Sequence, residues 1–331
     1  MKYPLRTTDL LGIPKINDLN DMCFHTKLSI ALLHRMTKAA KAFYIEVNIP
    51  KKSGGFRKLA CPSKKVKVVQ AWILKNILEK IKPNAAATAF IKGSKVIYNV
   101  TPHAENKYLL CLDLEDFFDN IIFYDVFFVF RSLGYTSEAS ALLSNICTYK
   151  GRLPQGGVTS PMLSNIICIK LDERLSRFAG ARNIVYTRYA DDMTFSAKSP
   201  DILLRAKKTI DEIIVSEGFN INAKKTRLLG PRQQLKVTGI VISNEKSVGI
   251  GRKQKRFLRA AFHHAITKPM LPKERSKRFM WMIGWFNYLH SVDKKSALEL
   301  MRYVQKLLVV HSASNPKEIK YFQASLSQVS L

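Results

Sequence analysis

The chain has 331 residues, of which 47% are hydrophobic and 24% are charged, and this composition argues against a wholly disordered protein. Its 54 Lys and Arg against 25 Asp and Glu give a formal net charge of +29, which favours a polyanionic partner such as nucleic acid. No apolar run is long enough to cross a membrane, and the five cysteines include no CxxC pair. We therefore expect reduced thiols, no disulfide framework, no zinc knuckle and no membrane partner.

The N-terminal part of the chain predicts helices on either side of a β-hairpin. Residues 17–43 and 67–81 carry apolar side chains near helical spacing. Between them, two runs of alternating polar and apolar residues flank Ser53, Gly54 and Gly55, which suit a turn with positive φ. This pattern is typical of a hairpin.

The central part predicts two strands that end in acidic residues. One is an apolar strand within "KYLLCLDLEDFFDNI" (residues 107–121), which is followed by helix. The other belongs to a hairpin in "YTRYADDMTFSA" (residues 186–197), with helices predicted before and after it at 160–180 and 201–219. Residues 234–243 predict either a short pair of strands or one bent strand.

From about residue 245 to the end the chain has seventeen Lys and Arg but five Asp and Glu, and three helical apolar stripes are visible. The sequence thus predicts an α+β catalytic domain followed by a small basic helical domain. His263 and His264 have no third metal ligand at a suitable spacing, so the surface of a helix is their expected position.

The two acidic segments, "CLDLEDFF" and "YADD", predict a metal site if their strands are neighbours in one sheet. In that arrangement Asp113 and Asp191 would converge, and two converging carboxylates repel each other until one is protonated or a cation binds. Mg²⁺ favours a few carboxylates together with phosphate oxygens, and two such ions promote in-line phosphoryl displacement. Each segment taken alone also fits an exposed turn. Together they predict a nucleotidyl transferase.

Residues 151–165, "GRLPQGGVTSPMLSN", lie between the two acidic segments. They can be interpreted as an irregular loop that leads into a helix. Alternatively, Gly156 and Gly157 allow the backbone to approach a flat ligand closely, with Gln155 lying against a nucleotide.

In chain order, "LDLEDFF", "LPQGGVTSP", "YADD", "EGFNINAKKT" and "VTGIVI" resemble the ordered blocks of reverse transcriptases. "NVTPH" at 99–103 and "VTG" at 237–239 resemble segments of the bacterial retron enzymes, which usually have Ala where this chain has Val100. The resemblance covers essentially the whole chain. It implies an α+β right-hand polymerase whose palm is an antiparallel sheet that carries the acids. The implied domains are N-terminal helices and fingers at 1–105, a palm at 106–240 with inserted finger or helical elements at about 120–155, and a basic helical thumb at 241–331.

The same resemblance implies roles for residues around a two-metal centre. Two Mg²⁺ ions, with Mn²⁺ as a possible substitute, would be bound by Asp113, Asp191, Asp192 and the Leu114 carbonyl. The dNTP-binding residues would be Arg57, Lys58, Phe118, Gln155, Gly156, Lys224 and Lys225. In this set Phe118 excludes a ribose 2′-OH, while Lys224 or Lys225 lies near the leaving pyrophosphate. Core packing competes with the first role and simple surface solvation competes with the second.

Further residues would contact RNA. They are Asn99, His103, Val237, Thr238 and Gly239, together with the basic residues Arg252, Lys253, Lys255 and Arg256. A structural role is the alternative for Asn99 and His103. For residues 237–239 the alternative is a buried strand with a Gly bend.

By this resemblance the protein reverse-transcribes part of a structured noncoding RNA in the bacterial cytoplasm. The RNA would be both template and primer, with synthesis starting at a guanosine 2′-OH and giving a branched RNA–DNA hybrid, msDNA. An effector protein and a role in anti-phage defence are also implied. The alternatives are another bacterial reverse transcriptase, intron-like or diversity-generating, and a catalytically inactive RNA-binding scaffold.

Overall fold

The computed structural model describes residues 11–50, 54–243, 245–267 and 272–311. The α-helices of the described residues are α1 Leu19–Thr26, α2 Ile30–Lys38, α3 Lys64–Asn76, α4 Ile97–Val100, α5 Phe117–Asn120, α6 Phe123–Ser132, α7 Ser137–Cys147, α8 Ser160–Ile167, α9 Ile169–Gly180, α10 Pro200–Ser216, α11 Arg252–Thr267, α12 Pro272–Val292 and α13 Lys294–His311. The strands are β1 Tyr44–Pro50, β2 Phe56–Pro62, β3 Tyr108–Asp113, β4 Val185–Tyr189, β5 Asp192–Ala197, β6 Arg227–Leu229, β7 Leu235–Val237, β8 Ile240–Ile242 and β9 Val248–Gly249.

The first predicted hairpin is present, since β1 and β2 pair antiparallel from Tyr44 opposite Pro62 to Pro50 opposite Phe56. Gly54 and Gly55 have φ values of 88° and 77°, as the turn requires. Ser53, the other predicted turn residue, lies outside the described residues.

Two segments that the sequence predicts as single helices are each divided. In the first, α1 ends at Thr26, the next residue Lys27 is left-handed with φ 58°, and α2 begins only at Ile30. In the second, Cys168 separates α8 from α9 with ψ near 1°. The apolar periodicity continues across both breaks because the faces on either side are buried, and for this reason the pattern alone did not show them.

The acids are carried by a four-stranded sheet with the order β4-β5-β3-β6. In β5, Met193, Phe195 and Ala197 are buried, and so are the alternating residues Thr194 and Ser196. A strand that is buried on both faces is held firmly in register, so its first residue has a well-defined position. That first residue is Asp192.

The described residues fall into two compact units. The first comprises the described parts of 1–94, 110–195 and 201–227, and it includes the β1–β2 hairpin and the acids. The second comprises those of 95–109, 196–200 and 228–331, and it includes the β7–β8–β9 sheet and helices α11, α12 and α13. The finer division into fingers, palm and thumb at the boundaries given above stays a prediction.

In the second unit, residues 234–243 form a pair of strands rather than one bent strand. β7 and β8 pair antiparallel, and Thr238 and Gly239 make the turn with φ values of 44° and 88°. Two successive residues with positive φ are the usual requirement of a tight hairpin turn.

No helix in the described ranges is long and apolar enough to cross a membrane. All five cysteines have free thiols.

Candidate active site

The two acidic segments meet in the first unit. β3 ends at Asp113 and its neighbour β5 begins at Asp192. The Leu114 amide donates a hydrogen bond to the Asp191 carbonyl at 3.0 Å, and the Asn222 amide donates one to the Asp113 carbonyl at 2.8 Å. The backbone of each acid is therefore tied to a neighbouring segment, so the condition that the sequence left open, that the two strands are neighbours, is met.

The hairpin between β4 and β5 places the second acid at its tip. Ala190 is left-handed with φ 59°, and Asp191 follows it directly. Asp113 is 7% exposed, whereas Asp191 is half-buried and Asp192 is exposed on one side. The three carboxyl groups therefore line the boundary between core and solvent, where a substrate can reach them.

Of the two lysines of "NAKKT", Lys225 contacts the acids. Its Nζ donates hydrogen bonds of 2.8 Å to both carboxylate oxygens of Asp113. Lys224 is exposed, and no contact of it with the acids is observed. The structure thus brings Lys225 to the acid cluster, whereas a role for Lys224 stays a prediction.

The acids influence one another electrostatically. Burial raises the pKa of Asp191, and the charge of Asp113 adds to this effect while Lys225 and Arg57 oppose it. Burial also raises the pKa of Asp192 to about 6, with further increases from the charges of Asp191 and Asp113. Burial and mutual repulsion thus both oppose ionisation of these acids, and a bound cation would offset both effects.

The donor set suits hard divalent cations. Carboxylate oxygens are the ligands that Mg²⁺ prefers, and Asp113, Asp191 and Asp192 offer them next to solvent. In the described part of the chain, no three His, Cys, Asp or Glu side chains form a preassembled metal cluster. Asp113 is instead paired with Lys225 at 2.8 Å. The residues fit a divalent ion that displaces Lys225, and the role of the Leu114 carbonyl as a further ligand stays a prediction.

We expect Asp192→Asn to raise the unfolding temperature of the metal-free protein at about pH 7. A carboxyl whose folded pKa is about 6, against an ordinary value of 3.8, favours folding most when it is protonated. The contribution of the Asp192 carboxyl to folding stability is present at low pH and is lost as pH rises towards about 6. The gain in unfolding temperature from Asp192→Asn should therefore disappear near pH 4. Thermal unfolding with a chelator at both pH values measures this.

Glu212→Gln, which changes an exposed carboxylate on α10, is the control. An Asn variant less stable than wild type at pH 7 would show that this carboxylate is stabilised rather than repelled.

Phe118 occupies a different environment from its neighbour. Phe117 is 3% exposed and packs in the core against Phe219, with ring centroids 5.7 Å apart. Phe118 is half-buried, and its ring lies 6.4 Å from that of Phe90. The structure leaves part of the Phe118 ring accessible, so its role as a sugar gate stays a prediction.

The Gln155–Gly156 segment docks on the β1–β2 hairpin. The Ala60 amide donates a hydrogen bond to the Gln155 carbonyl at 3.0 Å. Gly156 has φ 126°, and a Cβ there would lie 3.0 Å from the Ala60 carbonyl oxygen. Glycine is needed here for a close approach of two protein backbones, whereas the sequence suggested an approach to a ligand. The Gln155 side chain reaches Asp119 at 3.5 Å.

Arg57 and Lys58 point to opposite faces of β2, since successive side chains alternate along a strand. Arg57 is exposed and close enough to lower the pKa of Asp191, which places its charge near the acids. Lys58 lies on the other face, near Glu46, whose pKa it helps to lower. The effect of the Arg57 charge on Asp191 thus supports triphosphate binding by Arg57. Triphosphate binding by Lys58 remains a prediction without such support.

Direct RNA contact by Asn99, His103 and Val237 is corrected by the structure. Asn99 and His103 are both 0% exposed, and Val237 is 2% exposed. Asn99 Nδ2 donates to Thr238 Oγ1 at 3.4 Å, and His103 Nδ1 lies 2.7 Å from Ser196 Oγ. Burial lowers the pKa of His103 to about 3, so its ring is neutral at physiological pH. These side chains hold the second unit together, and Thr238 and Gly239 are the accessible part of the loop.

The predicted basic residues Arg252, Lys253, Lys255 and Arg256 are all exposed near the start of α11. Lys255 donates to Asp293 at 2.7 Å, so its charge is partly compensated. Leu258, Phe262 and Ala265 bury the opposite face of the helix. The exposed face of α11 therefore offers Lys253 and the two arginines to a polyanion.

The sequence analysis missed a buried polar group next to the acids. Arg188 in β4 and Asp172 in α9 form an ion pair with both side chains 0% exposed. Arg188 also donates to Asn165 Oδ1 at 3.3 Å and to the Ala190 carbonyl at 3.0 Å. The one available signal was an arginine in the middle of a strand whose other residues suit a core.

Comparisons with known proteins agree on one family. A sequence model described as reverse transcriptase (RNA-dependent DNA polymerase) matches residues 49–242. The retron Ec86 reverse transcriptase of Escherichia coli is 42% identical over 299 residues, which cover 90% of this chain and 91% of that protein. The retron Mx65 reverse transcriptase of Myxococcus xanthus is 30% identical over 314 residues, covering 88% of this chain and 72% of that protein. A solved telomerase structure from Candida albicans has a TM-score of 0.50 at 11% identity, covers 88% of this chain and 67% of its own, and shows a shared fold alone.

Proposed function

The chain belongs to the reverse transcriptase family and, within it, to the retron reverse transcriptases, and on this basis we propose that it copies part of a structured noncoding RNA into DNA with two Mg²⁺ ions at Asp113, Asp191 and Asp192. Its fold is the predicted right-hand polymerase fold, and it is an RNA-directed DNA polymerase. Members of this family generally use divalent metal ions. The observation that carries the proposal is the meeting of β3 and β5, which brings Asp113 beside Asp191.

Bound divalent ions would activate the attacking hydroxyl and stabilise the leaving oxygen of the nucleotide. The remaining roles belong to side chains around the acids. Arg57 attracts the triphosphate, and Phe118 limits the space beside the sugar. Lys225, which is paired with Asp113 in the structure, would offer its ammonium group to the pyrophosphate. Support for these roles comes from the Lys225 contact with Asp113 and from the effect of the Arg57 charge on Asp191.

The second unit would bind the RNA through its basic helices. We expect Lys253→Gln combined with Arg256→Gln to reduce the salt dependence of RNA binding by about 0.7 to 0.9 in logarithmic slope per lost phosphate contact, because fewer counterions are released. Lys255→Gln is the matched control, since its ion pair with Asp293 already compensates its charge, and we expect a smaller change. Titration of a labelled stem-loop RNA at several salt concentrations measures the slopes. If the double variant keeps the wild-type slope, the exposed face of α11 is not a phosphate-binding surface.

We further propose that the cognate RNA serves as both template and primer, with a guanosine 2′-OH starting synthesis and a branched msDNA as product. The support is the similarity to retron enzymes over most of the chain. The protein would act in the bacterial cytoplasm with an effector protein in anti-phage defence, and its five free thiols fit a reducing compartment.

Co-purification from its native host, followed by sequencing of the attached nucleic acid, tests the substrate. Our proposal requires DNA joined to one structured RNA through a branch that a debranching enzyme opens. Unbranched DNA copied from many RNAs would instead support the intron-like or diversity-generating alternative. RNA without attached DNA, together with no primer extension in Mg²⁺, would support the inactive scaffold.

A further inference from the structure

A buried guanidinium lies next to the hairpin that carries Asp191. Arg188 donates from Nε to Asp172 Oδ1 at 2.8 Å and from Nη2 to Asp172 Oδ2 at 2.6 Å. This two-pronged arrangement fixes the plane of the guanidinium group. Tyr186 donates a separate hydrogen bond to Asp172 Oδ1 at 2.8 Å, which does not involve the guanidinium.

The third arm of Arg188 reaches the backbone of the catalytic turn. Nη1 donates to the Ala190 carbonyl at 3.0 Å. Ala190 is left-handed with φ 59°, a conformation that residues with a side chain rarely adopt, and Asp191 is the next residue. Such a conformation persists only when its surroundings hold it, and the hydrogen bond from Arg188 binds the carbonyl of this residue.

The same group also anchors a second strained position. Asn165 accepts from Arg188 Nη1 at 3.3 Å and donates from Nδ2 to the Ala89 carbonyl at 2.7 Å. Phe90, which follows Ala89, has φ 63° and is 44% exposed. The buried network therefore contacts Ala190, which precedes Asp191, and also Ala89. Ala89 in turn precedes Phe90, the aromatic neighbour of Phe118.

Core stability alone does not account for this arrangement. Apolar side chains of similar volume can often replace a buried ion pair without loss of stability. They cannot donate a hydrogen bond to the Ala190 carbonyl. Only a guanidinium is a single rigid group that can donate hydrogen bonds to Asp172 and to the Ala190 carbonyl at the same time.

We propose that Arg188 is a positioning residue for DNA synthesis: oriented by Asp172, it holds the Ala190 carbonyl and thereby fixes the backbone from which the Asp191 carboxylate projects. This inference rests on the proposed metal-binding role of Asp191. It assigns no direct contact with substrate to Arg188, which is fully buried.

Two variants separate the hydrogen bond from the charge. Arg188→Lys keeps a positive charge beside Asp172 but lacks the fork that reaches Ala190. Arg188→Met combined with Asp172→Leu removes the whole ion pair without leaving an unpaired buried charge. Tyr186→Phe is the matched control, because it removes a different hydrogen bond to Asp172 and leaves the guanidinium in place.

The first measurement is hydrogen–deuterium exchange without metal, read at the Leu114 amide, which donates to the Asp191 carbonyl at 3.0 Å. The second is the Mg²⁺ concentration that gives half-maximal dNTP incorporation. We expect faster Leu114 exchange in both test variants and a Mg²⁺ requirement raised about 10- to 100-fold, as is typical when support of a metal ligand is lost. The control variant should match wild type in both measurements.

Wild-type exchange and a wild-type Mg²⁺ requirement in Arg188→Lys would overturn the proposal, and so would a control variant as impaired as the test variants. If the double variant does not fold, Arg188→Lys alone decides, since it leaves no buried charge unpaired. Failure of the proposed function is seen separately, as undiminished synthesis by an Asp113→Asn variant whose Leu114 exchange is normal.

Discussion

Replacing Asp191 and Asp192 together by Asn is expected to abolish dNTP incorporation, with a loss on the order of a thousandfold or more. Divalent ions supply several kcal/mol of transition-state stabilisation, and each 1.4 kcal/mol or so corresponds to about a tenfold change in rate. RNA binding should stay close to wild type, because the substituted residues belong to the first unit and the basic helices to the second. Primer extension and RNA titration on the same preparation measure the two properties.

The matched control is Glu212→Gln, which removes a negative charge from an exposed position on α10. It should synthesise DNA at the wild-type rate. Near-normal synthesis by the double Asn variant would remove these carboxylates from the reaction. A parallel loss of RNA binding would instead indicate that the substitution had disturbed the fold.

Phe118→Ala is expected to reduce discrimination against ribonucleotides by roughly a hundredfold. The half-buried ring would leave too little space for a 2′-OH beside the sugar, and truncation opens that space. The effect should fall on the ratio of kcat/KM for dNTP to that for rNTP, while dNTP incorporation itself changes less. Single-nucleotide extension with matched dNTP and rNTP substrates gives this ratio.

Phe128→Ala is the control for Phe118→Ala, since Phe128 is an aromatic side chain of α6 that is 64% exposed. It should keep the wild-type ratio. An unchanged ratio in Phe118→Ala would assign that ring to core packing with Phe117, from which its centroid is 5.3 Å distant.

The parts of the site that the sequence predicts are those set by local pattern. Alternating residues and two glycines indicate the β1–β2 hairpin, and apolar runs that end in acids indicate β3 and the β4–β5 hairpin. From the sequence alone, the pairing of β3 with β5 was an assumption behind the predicted metal site, because no local pattern shows which strands are neighbours in a sheet. The resemblance to reverse transcriptases supported that assumption, because it implies one sheet that carries all the acids.

Side-chain direction could not be predicted. Lys224 and Lys225 are adjacent and chemically identical, and the backbone of residues 222–226 decides which of them reaches Asp113. The resemblance to retron enzymes implies that Asn99 and His103 either contact RNA or have a structural role. Their burial depends on Thr238 and Ser196, which are distant in sequence.

The partnership of Arg188 with Asp172 was likewise hidden. The two residues lie on different elements, β4 and α9, and a charged residue within a strand more often indicates an exposed face. Only the packing of α9 against β4 shows that both charges are buried together.

The position of bound Mn²⁺ tests the central claim most directly. Crystals of the protein with a template–primer and a non-hydrolysable dNTP analogue would be soaked in Mn²⁺, and anomalous scattering would locate the ions. We expect Mn²⁺ bound to carboxylate oxygens of both Asp113 and Asp191, with Lys225 moved away from Asp113. Mn²⁺ bound elsewhere, with the ion pair between Lys225 and Asp113 intact, would contradict the account.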